Sequence, residues 1–203
     1  MQMRSMFTLS ALAATVLVVG CSSKSTPNEA NFAAAVNQKL ASNPVRCLPL
    51  ADWPATAEPS DHGNPYAFYD AGVGFVQAGI ATVKEEGPNY STNFRKKAIF
   101  TLTEEGKKQL VLDQRQPFPG KDYGRFCYGK MKLTKVLKWD EPTKVGSDTV
   151  TTVTYSYEMV DVPKWAENKQ LQTSFPVLGT DVIGKGQANL GVMLVDGHWL
   201  PAT

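Results

Sequence analysis

The spacing of hydrophobic residues changes repeatedly along this chain, and each change predicts a different element. Met6 to Val19 (MFTLSALAATVLVV) is an uncharged apolar run. Its length of about 14 residues falls short of the roughly 20 that a membrane-crossing helix needs. Gly20 and the polar stretch Cys21 to Pro27 end it. A helix follows, starting at Asn28 or Thr26 and running to about Ser42, because Phe32, Ala35, Val36 and Leu40 form an apolar stripe and Asn43-Pro44 supplies a stop. From Val45 to Pro65 prolines recur at 44, 49, 54, 59 and 65, which predicts an irregular crossing with few free donors for a strand ladder. Next come a helix over about Tyr66 to Ala78 and strands Ala81 to Lys84 and Lys97 to Leu102 around a polar turn. Thr103 is a good N-cap for a helix running to about Leu112, with Gly106 weakening its first turn.

After Gly124 the period shortens to two. Phe126 to Trp139 alternates lysine with apolar or aromatic residues, yet Met131, Leu133, Val136 and Leu137 cannot all share one face, so a bulge or register change is expected. Its partner is Asp148 to Val160, rich in Thr, Val and Tyr, with the turn around Glu141 to Ser147. Pro163 opens a short helix that Phe175-Pro176 ends. Lys185 to Val195 and Trp199 to Pro201 read as strands across an Asp196-Gly197 turn. The sum is an α+β fold: an N-terminal helix and a helix–hairpin–helix segment packed with an antiparallel, strand-rich C-terminal half. Residues 28–203 read as one globular domain, divided into a part at 28–115 and a strand-rich part at 124–203.

Composition adds an address. Arg4 and the amino terminus precede the apolar run, and Val18-Val19-Gly20 leads into Cys21. This segment resembles the signal peptide and lipobox of bacterial lipoproteins, with Val18 in place of the commoner Leu. The resemblance implies cleavage after residue 20, diacylglyceryl and palmitate on Cys21, and a short tether at 21–27. Ser22, standing where Asp would signal inner-membrane retention, implies an outer-membrane location with the domain facing the periplasm. Removing 20 of the 203 residues leaves 183, enough for one substantial core or two small ones. Losing Arg4 from the 21 basic residues leaves one more than the 19 acidic ones, so charge marks out no nucleic-acid or anionic-membrane surface. With Cys21 assigned to lipid, Cys47 and Cys127 remain as an even pair where disulfides form, and they are expected to be bonded.

The order helix, Gln77-Ala78-Gly79-Ile80, hairpin, Leu102-Thr103-Glu104-Glu105-Gly106, helix resembles the wing region of winged-helix domains. The segment Tyr66 to Val73 carries no basic residue, and Arg95-Lys96-Lys97 is the one basic cluster nearby, so packing or protein contact is expected of it and nucleic-acid binding is not. Together with Phe126-Cys127-Tyr128-Gly129, Val153-Thr154-Tyr155-Ser156-Tyr157, Pro163-Lys164-Trp165-Ala166 and Phe175-Pro176, these phrases resemble a group of uncharacterised proteobacterial envelope lipoproteins. That resemblance implies a shared fold and address and transfers no catalytic residue.

Candidate chemistry is sparse. His62 and His198 have no second histidine at ligand spacing, so no metal site is expected. No Gly-x-Ser-x-Gly or Ser-x-x-Lys motif is present. Glu85-Glu86 and Glu104-Glu105 read as solvated pairs, the latter favouring a helix start. Gly72-Val73-Gly74 and Gly184-Lys185-Gly186 lack the context of a phosphate loop, and Asn89-Tyr90-Ser91 matches a glycosylation triplet that bacterial lipoproteins do not ordinarily use. Lys130, Lys132 and Lys138 are candidate partner contacts, set against the simpler reading of lysines that protect a sheet edge. The expectation is a noncatalytic envelope protein that binds another protein or supports an assembly, without a cofactor. The alternatives are a small-ligand carrier, which a large enclosed apolar cavity would favour, and a hydrolase, which a cleft joining His62 or His198 to an acidic residue would favour. An exposed apolar patch would favour the first.

Overall fold

The computed structural model describes residues 23–88, 95–183 and 186–202, with the side chain of Ile183 left out. Met1 to Ser22, and with them the apolar run and Cys21, lie outside the described residues, as do Asn89-Tyr90-Ser91, Gly184 and Lys185. The first element is helix α1 (Glu29–Ser42), whose N-cap Asn28 accepts a hydrogen bond from the Asn31 backbone amide at 2.9 Å. Its buried residues are Phe32, Ala35, Val36 and Leu40, the stripe that the spacing predicts.

The crossing after α1 is more regular than its prolines suggest. It contains strands β1 (Val45–Cys47), β2 (Ala51–Trp53) and β3 (Ala55–Ala57), then a single 3-10 turn at Pro59–Asp61. The prolines fall between these strands, so no ladder donor is lost, and the Pro44 carbonyl accepts from the Met131 amide. Helix α2 (Tyr69–Gln77) leads to the hairpin β4 (Ala81–Glu86) and β5 (Lys97–Leu102). β3 joins it in a three-stranded sheet ordered β3-β5-β4. Helix α3 (Glu104–Gln109) is capped by Thr103, whose hydroxyl accepts from the Gly106 amide at 3.0 Å. It stops three residues earlier than expected because Leu110–Leu112 forms strand β6 against residues 124–126. Pairing with a neighbouring strand outweighs the weak propensity of a helix containing Gly106.

The C-terminal half supplies five strands of an eight-stranded antiparallel sheet built around β7 (Asp122–Trp139), which β1, β2 and β6 complete. β2 and β6 pair with the first part of β7, at residues 122–124 and 124–126, β1 with residues 127–130, and β9 (Asp148–Val160) with its second half. The register between β7 and β9 shifts at Leu133/Lys135 and again at Val136/Lys138, which are the expected irregularities. They bury Val136 while Leu137 stays exposed. The predicted turn contains a short strand of its own, β8 (Thr143–Val145), paired with the start of β9. The Pro163 segment is a 3-10 turn at Lys164–Glu167, followed by α4 (Lys169–Ser174). Pro176 does not end the helical region. It occupies the first position of a further helix, α5 (Pro176–Ile183), where a missing amide costs nothing. β10 (Gly186–Val195) and β11 (His198–Pro201) close the sheet across Asp196 and Gly197, both at positive φ.

These elements enclose two clusters of buried side chains. One holds Trp53, Phe75, Phe100, Phe126, Trp165, Leu171 and Leu178, with Trp53 meeting Phe75 and Phe126 edge-on at 5.4 and 5.7 Å. The other holds Phe32, Val36, Val136, Val153, Leu190, Val192 and Trp199, with Phe32 between Trp139 and Trp199 at 5.2 and 5.1 Å. Such ring pairs add about 1 kcal/mol each beyond burial. β7 serves both clusters, and Gly129, at φ 136°, sits at the change-over with the Val160 carbonyl 2.8 Å from where a Cβ would stand.

Candidate functional site

Cys47 and Cys127 face each other across β1 and β7 and are bonded, as the cysteine count predicts. The residues next to them, Arg46 and Tyr128, converge on Asp181, an acidic side chain only 2 % exposed in the last turn of α5. A carboxylate at a helix C-terminus opposes the helix dipole, so other groups must hold it. Arg46 Nε donates to Oδ2 at 3.3 Å, the Tyr128 hydroxyl to Oδ2 at 2.8 Å, and the Tyr157 hydroxyl to Oδ1 at 2.6 Å. Burial, and then the bond to Asp181, push both tyrosines up to about 12. Gly186, opposite Tyr157 on β10, is a glycine for the same reason: the Tyr157 ring fills the space a side chain would need. Each carboxylate oxygen is engaged and no open face remains, so this constellation is a clamp between the two clusters and not a reactive centre. Nothing in the sequence near Asp181 marks it.

A groove with an aromatic lining lies elsewhere. The segment between the 3-10 turn and α2 runs alongside the end of α4 and the start of α5, leaving a groove of about 530 Å³. Pro65, Tyr66, Phe68, Phe175 and Pro176 supply its apolar lining. Phe68 packs edge-on against Trp53 at 5.6 Å and Phe100 at 5.8 Å, which anchors the segment to the core. Tyr66, two residues earlier, is 98 % exposed. Ser174 Oγ, also on the groove, has no hydrogen-bond partner among the described residues.

Asp70 and Gln170 join this groove to a smaller cleft of about 440 Å³ that includes His62, Tyr69 and Val73. There His62 Nδ1 lies 2.6 Å from Asp70 Oδ1, and the Gly63 amide donates to Oδ2 at 2.8 Å. The His62 bond, with the Gly63 amide second, holds the Asp70 carboxyl below its ordinary value. His62 is thus joined to an acidic residue at a cleft, the arrangement that a hydrolase reading calls for. Among the described residues no serine, threonine or cysteine hydrogen-bonds to its ring. His198 bonds the Asp196 carbonyl within its own turn.

The structure separates the other sequence candidates. Lys130 pairs with Asp161 at 3.0 Å and Lys132 with Glu158 at 3.2 Å, while exposed Lys138 has no ion pair among the described residues. Beyond Lys130, β9 is the only strand paired with β7 among the described residues, which fits lysines at a sheet edge. None of these lysines reaches the groove. Glu104 and Glu105 bond Lys107 and Gln109 on their own helix, and Arg95 bonds Glu58. Comparison with known protein families, curated proteins and solved structures finds no match to this chain.

Proposed function

We propose that this chain is a noncatalytic lipid-anchored envelope protein whose domain docks a partner protein through the Tyr66 groove. In this reading it is cleaved before Cys21, acylated there, and held at the outer membrane with the domain in the periplasm. The bonded Cys47–Cys127 pair supports an oxidising compartment. The observation that carries the docking role is Tyr66: an aromatic side chain 98 % exposed beside Pro65, Phe68, Phe175 and Pro176. Tyrosine offers large contact area for little lost rotamer freedom, and aromatic grooves of this kind accept extended, proline-containing segments. The occupant is therefore an extended segment of another envelope protein. The full exposure of Tyr66 fits such a chain better than a small molecule, which needs most of its surface enclosed. Tyr66→Ser should leave the thermal midpoint within about 2 °C, since an exposed surface change is worth less than about 0.5 kcal/mol. It should also reproduce the envelope phenotype of a deletion. A wild-type phenotype in that variant contradicts the docking role.

The His62–Asp70 pair favours a second reading, in which an imidazole held by a carboxylate activates water for hydrolysis of a bound substrate. His62→Ala with an intact phenotype removes it.

A further inference from the structure

The 21–27 segment is expected to be a short tether, and the chain is already fastened to the domain from Ser23 onward. The Ser23 carbonyl accepts from the Thr26 amide at 2.9 Å and from Asn31 Nδ2 at 3.0 Å. Asn31 Nδ2 also donates to the Thr26 carbonyl at 2.8 Å. The Trp199 indole N–H donates to the Ser25 carbonyl at 3.0 Å, a bond that ties the start of the chain to its last strand. Only Ser22 stands between Ser23 and Cys21. Two residues of fully extended chain span at most about 7 Å. The headgroup layer on each side of a bilayer is of similar thickness.

From this we propose that one end of the domain rests on the bilayer: the end formed by Ser23 to Asn28, the first turn of α1, and the Trp139–Trp199 pair around Phe32. The inference rests on the lipid anchor at Cys21, and it adds an orientation that the anchor alone does not give. A freely jointed tether would let the domain tumble; one fastened at Ser23 cannot lift this end away from the headgroups. The chemistry of the end agrees. Trp139 is 37 % exposed beside Phe32, exposed Lys138 precedes it on β7, and exposed Lys24 lies between Ser23 and Ser25, an aromatic and lysine mixture suited to the membrane–water interface. Glu29 and Asp140 are exposed there too, so contact depends on the short tether and the tryptophan and not on net charge. α1 packs on β7, β10 and β11, in the cluster that does not contain the Tyr66 groove, so the proposed docking surface stays free of the membrane.

The test uses the full-length acylated protein in vesicles of phosphatidylethanolamine and phosphatidylglycerol carrying headgroup nitroxide lipids. A fluorophore is placed on one added cysteine, either Asp140→Cys at this end or Lys108→Cys on α3; Cys47 and Cys127 are bonded and stay unlabelled. Quenching at 140 is expected to exceed that at 108 at least threefold. Inserting twelve Gly/Ser residues between Ser22 and Ser23, with a root-mean-square reach of about 19 Å, should cut quenching at 140 by half or more. Equal quenching at the two positions, or no effect of the insertion, in protein whose mass includes the diacylglyceryl group overturns the orientation and leaves the anchor standing. A mass without lipid overturns both.

Discussion

Asp181 shows what single residues do here. Its partners lie 24, 53 and 135 positions away in sequence, so no local pattern marks it, and the site emerges only when β1, β7, β9 and α5 come together. The disulfide beside it was legible, because counting cysteines needs no geometry. Asp181→Ala strands two tyrosine hydroxyls and leaves Arg46 without its acceptor, and should cost about 3 kcal/mol in urea unfolding. Asp181→Asn, which keeps an acceptor, should cost less. The pH dependence has a definite sign. Tyr128 and Tyr157 rise from the ordinary 10.0 to about 12 in the folded protein, so the fold favours their protonated forms. The unfolded chain then binds fewer protons between those values, and stability falls as pH rises through that window. Unfolding followed against pH should show full tyrosine stabilisation below about pH 10 and its loss toward pH 12. A flat stability from pH 9 to 12 contradicts the network.

Among the elements, legibility follows how local the controlling interaction is. α1 is legible because its stripe and cap are short-range, and of the two candidate starts, Asn28 and Thr26, the cap is Asn28. β9 and the turn at Asp196-Gly197 were readable from β-propensity and turn chemistry. α3 was overextended because Leu110–Leu112 is captured by β7, a non-local choice. α5 was missed because a proline that can stop one helix can equally start the next. By helix propensity Gly106 is a weakness in α3, and the fold gives it a purpose: a Cβ there would collide with the backbone carbonyl of Ile80, which also accepts from the Thr103 hydroxyl. Helix propensity alone predicts that Gly106→Ala stabilises by up to about 1 kcal/mol. The contact predicts the reverse, a loss of at least about 1 kcal/mol in the free energy of urea unfolding, because a backbone atom cannot rotate away.

At the scale of the molecule, two core clusters share β7, and the crosslink from Cys47 to Cys127, 80 residues apart, pins the crossing to that strand. In the loop-entropy account such a closure is worth about 4 kcal/mol. The α+β class and the strand-rich second half were visible in the shift of hydrophobic period. The groove was not, since Tyr66 and Phe175 belong to segments with no pattern in common. The proposal that this groove is where a partner protein docks is the centre of the account, and site-specific crosslinking tests it most directly. With photoreactive benzoylphenylalanine at position 66 or, as a control, at exposed Lys39 on α1, irradiation of intact cells should give one adduct of discrete mass from position 66 and none from 39. The adduct from position 66 should disappear when Phe175 and Pro176 across the groove are both replaced by serine in protein that still melts cooperatively. No adduct from position 66, or the same adducts from both positions, would contradict it.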